Sequence, residues 1–144
     1  MIEQDTVRLL RECDAGVQMG IESLDDVRNL VREEALKALL VQCKKDHEAL
    51  LREIEDALDR FGDEGKDPNL FAEVGSKLKT EWKMRMKESD GTVADLMIDG
   101  CNMGVKSLSR YLNQYKAADE SAKDVAKRLI ALEEKLGQDL RAYL

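Results

Sequence analysis

His47 is the only histidine in the chain, and Cys43 stands one helical turn before it, a spacing that puts both side chains on one face of a helix. The apolar pattern around them predicts a helical hairpin turning near Leu30 and Val31. In such a hairpin Asp14 and His47 lie about equally far from the turn and face each other in one core layer. Cys101 falls on the inner stripe of a later helix, level with Cys43. A carboxylate, an imidazole and two thiolates could hold zinc in a tetrahedral site, or the thiols could respond to oxidants. The structural alternative is stronger. Cysteine is among the most buried residue types and packs as a small hydrophobe, and an aspartate beside a histidine satisfies two buried polar groups. The expectation is therefore a buried Asp14–His47 hydrogen bond that fixes the register of the first hairpin.

Other residues that could carry chemistry read as structural. Asp95 and Asp99 share a helical face like paired catalytic carboxylates, but Asp95 is placed to cap its helix and Asp99 flanks the core. Met19, Met84, Met86 and Met103 are expected to fill gaps. The glycines at 16 and 100 follow no strand, which excludes a phosphate loop. Lys44 with Lys45, and Glu133 with Glu134, read as solvated helix faces.

Composition narrows the function classes. A net charge of −7 with no concentrated patch of Lys and Arg argues against a nucleic-acid backbone or an anionic membrane as partner. No run approaches the ~20 apolar residues of a membrane span. Met1–Leu10 carries Glu3 and Asp5 and no apolar segment, so no signal peptide is expected. Three widely spaced cysteines make no disulfide framework, and a reducing cytoplasm is the expected location.

The elements that must position these residues are helices. At 144 residues, 37% charged and 43% hydrophobic with few aromatics, the chain suits one domain of long amphipathic helices. Periodicity predicts helices over about 6–30, 32–61, 68–87, 92–116 and 119–143. Thr92 with Asp95 resembles a capping box at the start of the fourth. A pattern of Gly16, Met19, Gly20, Ser23 and Leu24 recurs as Gly100, Met103, Gly104, Ser107 and Leu108. Glu34, Leu36, Lys37, Leu39 and Leu40 likewise align with Asp124, Ala126, Lys127, Leu129 and Ile130. The paired glycines predict a close backbone approach between the first and fourth helices. These repeats predict two duplicated antiparallel hairpins, 6–61 and 92–143, joined by a helical crossover over 62–91 that packs outside the core. Two hairpins with one long crossover form the topology of the ferritin-like bundle.

The stretch Arg11–Asp26, the run Glu34–Leu40, the Trp82 segment with Leu78 and Lys79, and the Gly100 region together resemble an uncharacterised bacterial family of ferritin-like four-helix-bundle proteins. The resemblance implies a fold over nearly the whole chain and no activity. A ferritin-type di-metal site needs inward carboxylates and two Glu-x-x-His motifs. Here the stretch before His47 begins with Lys44, and its counterpart keeps Glu134 but ends in Gly137; Asp14 is answered by Ile98. The metal candidates are thus Asp14, Cys43, His47, Cys101 and Glu134, for iron, manganese or zinc. The leading expectation is a non-enzymatic bundle without cofactor that associates with a protein partner or with itself. Its rival is a metal-dependent oxidative protein with a degenerate site.

Overall fold

The computed structural model describes residues 2–63, 82 and 84–144. Four long helices carry these residues: α1 (Ile2–Arg28), α2 (Glu34–Arg60), α3 (Asp90–Gln114) and α4 (Glu120–Leu140), followed by a 3-10 turn at Arg141–Tyr143. No strand occurs among the described residues. The crossover helix expected over 68–87 lies largely outside them, so its place relative to the core is not described.

The helix boundaries follow from local chemistry. Helix α1 starts earlier than the periodicity predicts, with Glu3 and Asp5 in its first turn where the helix dipole favours acids. Asp119 caps α4 by accepting from the Ala122 amide at 2.7 Å. The start of α3 corrects the expected Thr92–Asp95 box. Ser89 is the cap, accepting from the Thr92 amide at 3.0 Å, and Asp95 is exposed. Helix α2 ends at Arg60, and the turn that follows passes through Gly62, whose φ of 68° is left-handed and open to glycine without strain.

Contacts at the ends fix the direction of each helix. Asp90, at the start of α3, accepts from the amides of Arg32 (2.8 Å) and Glu33 (2.9 Å) in the α1–α2 turn. At the other end, Asp5 and Thr6 of α1 accept from the amides of Ala117 and Asp119 in the α3–α4 turn. Arg11 of α1 pairs there with Asp63, just past α2. Helix α2 therefore ends at one end of the bundle and α3 begins at the other. Helix α1 packs on all three other helices, and α2 also packs on α4.

The apolar core is split in two. One cluster includes Leu9, Cys13, Val17, Leu50, Ile54, Leu108, Val125 and Leu129. The other includes Leu24, Leu40, Cys43, Val93, Met97, Cys101, Leu136 and Leu140. A polar layer lies where the clusters meet: His47 of α2 reaches Glu133 of α4, with Gly20 of α1 against the histidine and Gly104 of α3 against the glutamate.

Candidate functional site

That dividing layer is built by two side chains and two glycines. His47 is 1% exposed, deep enough that an unpaired ring nitrogen would carry a heavy desolvation cost. Its Nδ1 lies 2.8 Å from the carbonyl oxygen of Cys43, one turn back on its own helix. A carbonyl only accepts, so Nδ1 carries a proton. Its Nε2 lies 3.0 Å from Glu133 Oε1 across the core. With Nδ1 already protonated, this second bond needs one more proton between imidazole and carboxylate. Imidazolium with carboxylate meets that need in a charge-assisted bond. Burial alone pushes His47 down, yet its bonds to Cys43 and Glu133 outweigh burial and hold it up at about 10. Among the described residues no buried side-chain nitrogen or oxygen lacks a partner.

The glycines make this layer possible. A Cβ on Gly20 would lie 3.0 Å from His47 Cδ2 and 3.1 Å from Nε2, tighter than ordinary contact. A Cβ on Gly104 would meet Glu133 at 3.6 Å. The close approach expected between backbones is therefore an approach of side chains to backbones. Of the outer pair, Gly16 faces Leu129 and Gly100 faces Trp82.

Two thiols border the layer. Cys43 Sγ is 3.5 Å from His47 Nδ1. The Cys101 thiol is pushed up by burial and by the neighbouring Glu133 and Cys43. Cys13 belongs to the opposite apolar cluster, where burial pushes its thiol up to about 12.

The structure brings together three of the five residues singled out from sequence, Cys43, His47 and Cys101. The expected Asp14–His47 bond does not form. Gly20 faces His47, about 9 Å further along α1 at 1.5 Å per residue, while buried Asp14 accepts from Gln18 at 3.1 Å. Glu134 is exposed, and its neighbour Glu133 faces the core instead. Lys44, also exposed to the surface in part, reaches Asp25 on α1 at 2.6 Å. Sequence reasoning missed Glu133 because it was grouped with Glu134 as a charged surface pair. Its signal was present: Glu133 lies one turn beyond Leu129 and one turn before Leu136 on the inner stripe of α4. Among the described residues, no group of three or more His, Cys, Asp or Glu is arranged to hold a metal ion. No described helix is long and apolar enough to cross a membrane.

Comparison with family models, curated proteins and solved structures gives no match for this chain.

Proposed function

We propose that this chain is a ferritin-like four-helix bundle that acts through protein association, with a second copy or another protein, and not by catalysis. The observation that carries this reading is the use made of the core polar groups. His47 and Glu133 satisfy each other, and the room left by Gly20 and Gly104 is filled by these same side chains. Two surface grooves, one along α1 and α2 and one at the start of α1, are lined by neither residue. The surface is then the working part. Met19, Val41, Phe61, Met84 and Met103 are exposed there, and methionine and aromatic side chains are enriched at protein interfaces. Three free thiols fit the reducing bacterial cytoplasm expected from the sequence.

Sedimentation velocity over a concentration series, with elemental analysis of protein purified without an affinity tag, tests the proposal. A reversible dimer or a stoichiometric protein partner, without bound metal, supports it. A monomer at every concentration that captures no partner sinks it. Stoichiometric iron, manganese or zinc transfers the assignment to a metal-dependent oxidative protein with a degenerate ferritin-type site.

A further inference from the structure

The outward face of α3 carries a charge pattern that nothing within the chain uses. Asp95, Asp99, Asn102, Met103, Lys106 and Arg110 are all exposed, and at 3.6 residues per turn they fall within about 100° of arc, opposite the buried Met97, Cys101 and Leu108. The N-terminal half of this face is acidic and the C-terminal half is basic. Asp95 and Asp99 stand one turn apart, as do Lys106 and Arg110, so each charge has a like neighbour at the spacing where like charges weaken a helix. Among the described residues none of the four is in a salt bridge. The helix dipole does not account for the pattern, because it acts within the terminal turns, and Asp99 and Lys106 lie well inside Asp90–Gln114.

A second copy of α3 running antiparallel turns this conflict into a match. A twofold axis passing between residues 102 and 103 sets Asp99 level with Lys106 of the partner subunit, and Asp95 level with Arg110 of the partner subunit. At 1.5 Å per residue these pairs stand about 5 Å and about 11 Å from the axis, and symmetry repeats each pair on the other side. The axis falls at the middle of the 25-residue helix, so the two helices overlap along their whole length. Met103, 58% exposed, is the apolar side chain of this face and stands beside the axis. Parallel pairing in register would instead set every charge against its own kind. We propose that this face is a self-recognition surface, on which a second copy of the chain docks antiparallel through Met103 and four interchain ion pairs, an assignment that rests on the association reading above. Exposed ion pairs contribute little each, and the seam is one helix wide, so the dimer is weak and reversible. Charge sets its direction and register more than its strength.

Sedimentation velocity of the full chain at concentrations up to about 1 mM measures the self-association, and charge reversal tests the seam. Asp95→Lys/Asp99→Lys makes all four charges positive, and Lys106→Asp/Arg110→Asp makes all four negative. Either variant alone should dimerise at least about tenfold more weakly than the wild type, since four attractions become four repulsions. An equimolar mixture should recover a heterodimer of near wild-type affinity, because every level again pairs opposite charges. That recovery also shows that both variants are folded. A wild-type dimer that both variants form unchanged would overturn the α3 seam and leave association to another face, and a mixture that recovers nothing would overturn the pairing. A wild type that stays monomeric throughout would overturn it too, leaving the association reading to stand or fall on a different protein partner.

Discussion

A histidine with a carbonyl at one nitrogen and a carboxylate at the other binds a proton more tightly in the folded chain than in the unfolded one. His47 is raised from an ordinary value of 6.5 to about 10, so its contribution to stability is fully present below pH 6.5 and is lost as pH rises through 10. Between those limits urea unfolding of the wild type should weaken by up to about 1.4 kcal/mol per pH unit. A His47→Gln variant should show a flatter profile, and equal slopes for the two proteins would refute the assignment. The neighbouring glycines give an independent measurement. At Gly20 an alanine methyl meets an imidazole already held by two bonds, so Gly20→Ala should destabilise by about 1–3 kcal/mol despite its better helix propensity. At Gly104 the added methyl finds ordinary contact distances, and Gly104→Ala should be neutral or stabilising by up to about 1 kcal/mol. Denaturant melts of the two variants should therefore differ in sign.

Helix ends show how one carboxylate ties three elements together. Asp90 belongs to α3 but accepts from two amides in the turn between α1 and α2, where Glu33 supplies no side-chain cap of its own. Asp90→Ala should lower stability by about 1–2 kcal/mol, as loss of a capping side chain does, and speed amide exchange at Arg32 and Glu33. Exchange at those amides unchanged from the parent would contradict this. Much of this level was legible in the sequence. Apolar spacing located the four long helices to within a few residues, because each must bury a stripe and that stripe has helical period. The register between helices was less legible. Placing Asp14 opposite His47 assumed that equal distance from a turn means equal height, whereas the observed partner is Gly20, a residue with no side chain to announce it. Glu133 was hidden for the opposite reason, since a charged residue beside another charged residue reads as surface until a partner across the core is known.

At the scale of the whole molecule the pair is a shared device, and removing half of it should cost more than removing all of it. His47→Leu leaves a part-buried carboxylate without its cation and should lose about 3–5 kcal/mol, while the double variant His47→Leu/Glu133→Leu should recover much of that loss. A double-mutant cycle on thermal or urea unfolding measures the coupling, and additive single effects would dismiss it. The pair also has a meaning for the duplication read in the sequence. With the halves aligned through Lys37 and Lys127, Cys43 stands where Glu133 does and His47 stands where Gly137 does. Two copies of the first half placed together would offer an imidazole to a thiol, and two copies of the second would offer a carboxylate to a bare backbone. Only unlike halves bring acid and base together. The single polar layer thus discriminates like from unlike: it favours the joining of a first hairpin to a second and disfavours the joining of two copies of either one.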